Sequence, residues 1–332
     1  PIPLIIAEAG VNHNGDLSRA RDMVHAAADA GADLVKFQAF RTEQLASAES
    51  AAAAYQQANT GIARQADLLR SLELRLDDFA ALAETCRSCG IGFLCTPFDV
   101  AIAGKLIALG MSYIKIASGE LTNTPALKAF AGYGLPILLS TGMATLAETA
   151  EAMATLRKAG ATDITVLQCT SLYPAPMETI NLRAMVTLRE AFDCPVGYSD
   201  HSLGDHVAVA AVALGASVIE KHFTLDRTLP GPDHAASLEP DEFARMVRRV
   251  RETAIALGDG VKRPAPGESE TAALVRRSWH AANDLAAGTF LSESDMVLKR
   301  PATGLAPDSP PIGRRLARPV GQDHPITPDD LQ

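Results

Sequence analysis

Aromatic residues are scarce in this chain, at 5% with a single tryptophan. That leaves little from which to build a platform for stacking the bases of single-stranded nucleic acid. A basic excess is also missing: 30 Lys and Arg stand against 39 Asp and Glu, a formal net charge of -9. This disfavours nucleic acid and anionic membrane surfaces as partners, but not a local basic pocket for a phosphorylated metabolite. No apolar run is long enough to span a bilayer. The longest uncharged stretch, Ala129 to Ala147, is broken by Gly132, Gly134, Pro136 and Gly142. Five cysteines, an odd number without framework spacing, argue against a disulfide scaffold and fit free thiols in a reducing compartment. Cys86 and Cys89 form C-x-x-C, but inside a helix-like run and without a second pair to complete a metal or redox site. No basic segment or cleavage site precedes the first apolar strand, so a cytoplasmic location is expected. Neither G-x-G-x-x-G nor G-x-x-x-x-G-K-[ST] occurs, which leaves dinucleotide and P-loop chemistry unsupported.

What the 332 residues do contain is a repeated local pattern. A helix-like stretch stops at a Gly, a short apolar strand follows, and polar residues close the unit. Gly just past a helix end accepts the left-handed conformation that terminates it. The strands read as Leu4 to Glu8, Leu34 to Gln38, Phe93 to Thr96, Tyr113 to Ile116, Ile137 to Ser140, Thr165 to Gln168, Pro195 to Ser199 and Val218 to His222. Near-continuously apolar strands alternating with helices predict a parallel sheet covered on both faces. Eight such units within 1–257 predict a (β/α)8 TIM barrel, an α/β fold, ending on a helix from Asp241 to Leu257. A Gly- and Pro-rich stretch, 258–277, reads as a linker, and 278–332 as a small, mostly β domain that would gain from docking on something.

A TIM barrel carries its active site at the C-terminal ends of its strands. Here those ends are polar almost without exception: Glu8, Lys36 and Gln38, Thr96, Lys115 with Ser118 and Glu120, Ser140, Thr170, Ser199 with His201, and Glu220 with His222. Period two puts Lys36 and Gln38 on one face, and likewise Glu220 and His222, leaving Val35 and Phe37 toward the helices. A full ring of this kind is hard to explain as packing, because each buried charge needs a partner. His201 and His222 follow strands that barrel closure makes neighbours, so both imidazoles could reach one divalent ion that keeps open positions. Lys36 and Lys115, with Ser140 and Ser199, could form an anion pocket. Alternatively each lysine pairs with Glu8 or Glu120, or one forms a Schiff base. His13, in a turn-rich loop after the first strand, is either a loop hydrogen-bonder or a site residue.

Nine segments carry a resemblance. They are Ala7-Glu8-Ala9-Gly10-Val11-Asn12-His13-Asn14-Gly15, Val35-Lys36-Phe37-Gln38, Thr96-Pro97-Phe98-Asp99, Lys115-Ile116-Ala117-Ser118-Gly119-Glu120, Leu139-Ser140-Thr141-Gly142-Met143, Cys169-Thr170-Ser171-Leu172-Tyr173-Pro174, Gly197-Tyr198-Ser199-Asp200-His201, Glu220-Lys221-His222-Phe223-Thr224 and Pro230-Gly231-Pro232-Asp233-His234. Together they resemble the sialic acid synthase family along essentially the whole chain. The resemblance implies a TIM barrel followed by an antifreeze-like (SAF) domain, and a domain-swapped homodimer in which the small domain of one subunit caps the other's barrel. It also implies condensation of phosphoenolpyruvate with the open-chain aldehyde of an N-acyl hexosamine, using water and releasing phosphate by C–O cleavage. His201 and His222 would hold a divalent metal, Mn2+ or Mg2+. Lys36, Thr96, Lys115, Ser118, Ser140 and Ser199 would hold phosphate and carboxylate. Glu120 would handle the attacking water or the aldehyde proton. Glu8, Gln38, Tyr173 and Asp233 would contact the sugar or a metal-bound water, and Arg300 would reach the acyl group from the partner subunit. Ser171 departs from the Asn of some sialic acid synthases and is similar to relatives using diamino-trideoxy sugars. This leaves N-acetylmannosamine and the 2,4-diacetamido-trideoxymannose precursor of legionaminate as acceptors, with the pseudaminate-type sugar behind them. The long segment Ala48 to Ser71, read as a loop after the second strand, points the same way. Rival readings are a synthase of seven- or eight-carbon keto acids, a Schiff-base aldolase and a catalytically dead sugar-binding protein.

Overall fold

The computed structural model describes residues 2–332. Eight parallel strands form one sheet: β1 (Leu4–Gly10), β2 (Leu34–Ala39), β3 (Gly92–Pro97), β4 (Ile114–Ile116), β5 (Ile137–Ser140), β6 (Ile164–Cys169), β7 (Val196–Asp200) and β8 (Val218–His222). The hydrogen-bonded order is β3-β2-β1-β8-β7-β6-β5-β4, and β3 lies beside β4 to complete the ring. This is a TIM barrel, with β1 pairing to β8 through Leu4↔Val218 to Glu8↔His222.

Local chemistry accounts for the alternation. The helix Leu17–Asp29 starts where the Asp16 carboxylate accepts the N–H groups of Ser18 and Arg19. The helix Leu146–Lys158 starts on a capping box of Thr145 and Glu148. Gly90, at φ +69°, ends the helix Leu76–Cys89 in the left-handed conformation. Gly197 has a different reason to be glycine: a Cβ there would sit 2.6 Å from both the Leu167 side chain and the Val218 carbonyl. Outward strand residues such as Ile5, Val35, Phe37 and Phe93 bury against helix residues including Met23, Val24, Phe79 and Leu82 in one core. The last barrel helix, Pro240–Ala256, presents Phe243, Met246, Val247 and Val250 to that core.

The segment read from sequence as a loop after β2 is structured. It carries the helices Ala54–Thr60 and Gln65–Leu72, with a small apolar cluster of Val11, Phe40, Ala52, Leu68 and Leu72 beneath them. Its helices are short and its apolar residues mostly alanine, so no sustained period marks them in the sequence.

The chain divides into two compact units, up to Gly258 and from Asp259 onward. The stretch 258–277, read from the sequence as a linker, includes a helix, Glu268–Val275. The second unit adds β9 (Ser278–Ala281) and β10 (Met296–Lys299), paired antiparallel. Its core is Ala281, Leu291, Met296, Leu316, Val320 and Ile326. Asp330 is fully buried there. Burial alone would raise its pKa, but the N–H and O–H of Thr327, with Arg318 and His324, hold it at about 2.

Candidate active site

The C-terminal strand ends converge on a cavity of about 260 Å³. Lys36 from β2 lies 2.5 Å from Glu8 of β1 and 3.7 Å from Glu220 of β8, and donates to Thr96 of β3 at 3.0 Å. Lys115 from β4 lies 3.4 Å from Glu220 and donates to Ser140 of β5 at 2.8 Å. Ser199 of β7 donates to Glu220 at 2.9 Å, and Gln38 donates to Glu8 at 3.1 Å. All four charges are buried, so their mutual distances govern their ionisation. Burial would raise Glu220, but Lys115 and Lys36 together pull it down to about 2. Burial raises Glu8, the ion pair with Lys36 only partly offsets this, and the charge of Glu220 adds to it. For Lys36, burial is outweighed by Glu220 and Glu8, so its pKa is raised. Lys115 is left with its pKa lowered by burial.

Beside this charged cradle stand the two histidines, ring centroids 5.3 Å apart. Burial lowers both pKa values, His201 to about 4 and His222 well below its ordinary range. Both are therefore neutral near pH 7 and have a lone pair to offer. The Nδ1–H of His201 donates to the Thr170 carbonyl at 2.6 Å, which leaves its Nε2 free to accept. The Nδ1 of His222 is buried without a partner. These atoms fit a divalent ion that takes two protein nitrogens. Among the described residues no group of three or more His, Cys, Asp or Glu is placed to hold an ion. The remaining coordination positions would belong to water or substrate. Tyr173 lies against His201 with the rings tilted by 34° and centroids 4.2 Å apart, and meets His222 edge-on at 5.6 Å. Tyr55 stacks on Tyr173 at 5.2 Å between centroids.

A ring of buried lysines and carboxylates beside a neutral histidine pair is more specific than the barrel that carries it, and comparison with known proteins agrees. The NeuB family model matches residues 23–262. The chain belongs to the NeuB family. The SAF domain model matches residues 276–332. The chain is 47% identical over 306 residues to an N,N'-diacetyllegionaminic acid synthase of Campylobacter jejuni, covering 91% of this chain and 92% of that one. It is 45% identical over 320 residues to the protein of the same name from Legionella pneumophila, covering 94% and 90%. Among solved structures, an N-acetylneuraminic acid synthetase from Leptospira borgpetersenii superposes with a TM-score of 0.74 at 37% identity, covering 82% of this chain and 90% of that one. This NeuB-family chain is thus an enzyme of the sialic and legionaminic acid synthase type.

In this NeuB-family site the structure brings Glu8, Lys36, Gln38, Thr96, Lys115, Ser118, Ser140, Ser171, Tyr173, Ser199, His201 and His222 to one cavity. Three expected residues are not in that lining. Glu120 follows the lining residues Ser118 and Gly119 but is not itself in the lining; its carboxylate accepts from the Asn123 amide at 2.7 Å. It sits in the short turn Ser118–Glu120, where strand alternation no longer dictates direction. Asp233 is buried outside the lining, and burial plus the charge of Glu8 raises it to about 7. Arg300 belongs to the second unit, exposed just after β10. Of the two pairings considered for the lysines, Glu8 does hold Lys36, but Lys115 turns to Glu220 rather than Glu120. His13 is buried in its loop, where Nδ1 accepts from the Gly15 N–H at 3.0 Å. Tyr55 went unrecognised, because nothing in its local sequence shows that the helix Ala54–Thr60 folds over the mouth. Cys169 also lines the cavity.

Proposed function

We propose that this enzyme condenses phosphoenolpyruvate with the open-chain aldehyde of an N-acylated mannosamine-type sugar and water, yielding a nine-carbon 3-deoxy-2-keto acid and phosphate. The legionaminate precursor, 2,4-diacetamido-trideoxymannose, is the acceptor we assign. In this reaction C3 of the enol bonds to the aldehyde carbon, water oxygen adds at C2, and the C2–O bond to phosphate breaks. The observation that carries the reading is the pairing of a two-lysine, multi-hydroxyl cradle with two neutral histidines in one small cavity. The choice of acceptor rests on the 47% and 45% identical relatives, both named for the diacetyllegionaminate series.

Lys36, Lys115, Thr96, Ser118, Ser140 and Ser199 supply ammonium and hydroxyl donors to the phosphate and carboxylate. Buried lysines are preorganised for this task, because Glu8 and Glu220 already fix their ammonium groups. Of the two carboxyls lining the cavity, Glu220 is held down by the lysines and Glu8 is raised by burial and by Glu220, so we assign Glu8 the aldehyde proton. Gln38, Ser171 and Tyr173, all in the cavity lining, orient the sugar, and Asp233 is a candidate to assist them. Glu120 is a candidate for the water step, and Arg300 for the sugar's acyl group. His201 and His222 would hold Mn2+ or Mg2+. When bound, such an ion supplies Lewis-acid polarisation of the aldehyde oxygen.

A swapped homodimer belongs to the same proposal. Met143, Leu172, Met177 and Leu203, in the segments that follow β5, β6 and β7, and Leu146, which opens the helix Leu146–Lys158, are exposed large apolar residues beyond the C-terminal strand ends. An apolar rim of this kind suits a covering surface, and the partner's C-terminal domain is the occupant we assign, in a cytoplasmic enzyme. No helix among the described residues is long and apolar enough to cross a membrane.

The deciding experiment measures phosphate release from phosphoenolpyruvate with Mn2+, comparing the 2,4-diacetamido-trideoxymannose with N-acetylmannosamine. Preference for the first supports the assignment. Preference for the second overturns the acceptor and leaves a sialic acid synthase. No release with either, but activity on a shorter aldose, overturns the substrate class. EDTA should abolish turnover and Mn2+ restore it. A borohydride-trapped adduct on Lys36 or Lys115 would instead establish Schiff-base chemistry.

A further inference from the structure

Directly behind the histidine pair, on the outer face of the barrel, lies a buried ion pair that the proposed chemistry does not use. Strand alternation places Ser199, His201, Glu220 and His222 inside the barrel, and Asp200 and Lys221 outside it. The β7–β8 register sets Asp200 opposite Lys221. Both side chains are fully buried, and Lys221 Nζ donates to Asp200 Oδ2 at 2.9 Å. The same ammonium donates to the carbonyl of Ser202. Asp200 Oδ1 accepts the Ser202 N–H at 2.9 Å and its O–H at 2.6 Å. The backbone on either side of His201 is thus tied to the residue that precedes His222. A buried ion pair is weak evidence for stability as such, since apolar replacements often fold as well or better. What this one supplies is geometry. His201 lies just past the end of β7, where ladder hydrogen bonds no longer hold the chain.

We propose that the Asp200–Lys221 pair is a positioning device that locks the ends of β7 and β8 together, so that His201 and His222 stay at a separation one divalent ion can bridge. It rests on reading those histidines as metal ligands, and the test separates the two ideas. The probe is Mn2+ alone, with the free ion counted by electron paramagnetic resonance. His222→Ala should abolish tight binding; if it does not, the ligand assignment fails. The double variant Asp200→Leu/Lys221→Met removes both charges and the lash. It should keep its circular dichroism and cooperative melting yet bind Mn2+ at least tenfold more weakly. Asp200→Asn/Lys221→Gln can remake the hydrogen bonds without charge and should return affinity to within about threefold of the parent. Ser202→Ala removes a single hydrogen bond and should weaken binding two- to threefold, which serves as the test if the apolar double does not fold. Arg249→Ala breaks the nearby ion pair to Asp205 and controls for destabilisation, with Mn2+ affinity unchanged. Parent-like affinity in the apolar double overturns the proposal. So does parent-like affinity in Ser202→Ala where the double does not fold, or an equal loss in Arg249→Ala.

Discussion

Replacing Lys115 by Met tests the phosphoenolpyruvate cradle most directly. Lys115 is 3% exposed, lies 3.4 Å from Glu220 and donates to Ser140 at 2.8 Å. Methionine keeps most of the aliphatic stem, so the cavity wall stays while the charge goes. An ammonium about 4 Å from an anionic oxygen contributes roughly 4 kcal/mol at an effective dielectric near 20. Net values for hydrogen bonds to charged groups are about 1.5–3 kcal/mol. Taking about 3 kcal/mol, the KM for phosphoenolpyruvate should rise roughly 150-fold, since each 1.4 kcal/mol is tenfold. The KM for the acceptor should change less than threefold. The assay is steady-state phosphate release at saturating acceptor, with circular dichroism to confirm the fold. Lys115→Arg should not rescue, because the guanidinium is larger and its donors are set in a fixed fork. A pH dependence follows with a definite sign. Burial lowers the pKa of Lys115, so phosphoenolpyruvate affinity should fall as pH rises, at lower pH than an ordinary lysine would give. A KM for phosphoenolpyruvate within threefold of the parent would refute the assignment.

Other expectations can be checked with the same protein. Tyr55→Ala removes the ring stacked on Tyr173; an aromatic pair contributes about 0.5–1.5 kcal/mol, so acceptor KM should rise two- to tenfold, while Tyr55→Phe stays near the parent. Glu8→Gln should cost more than 10²-fold in kcat, the range typical of acid–base groups. Glu120→Gln should cost much less, and the reverse order in a single-turnover assay would move the proton-handling role to Glu120. In the C-terminal unit, Asp330 titrates at about 2, below the ordinary 3.8. The stability it contributes is present above about pH 4 and is lost as pH falls toward 2. Asp330→Asn should flatten that acid transition in an unfolding titration followed by Trp279 fluorescence.

Much of the architecture was legible because it is local. Gly-terminated helices and short apolar strands are encoded within a dozen residues, and the predicted Ile137 to Ser140 and Val218 to His222 match β5 and β8 to the residue. Strand alternation did the same for the site: knowing that Lys36 and Glu220 face inward needs only period two and the strand ends. The β2 insert was missed because its helices are held by contacts outside their own sequence. Asn59, for example, donates to the Pro232 carbonyl at 2.9 Å, 173 residues away.

The sequence by itself determined that a barrel would form, which residues would ring its mouth, and that two histidines would stand on adjacent strands. Tertiary structure alone decided which partners those residues take. Lys115 turns to Glu220 rather than to Glu120, five residues along, because β4 and β8 aim both side chains into one enclosed space while the turn after β4 holds Glu120 on Asn123. It also decided that Tyr55 stacks on Tyr173, and that burial leaves both histidines neutral. Pairing and ionisation depend on distance and dielectric, quantities that exist only once the chain has closed on itself.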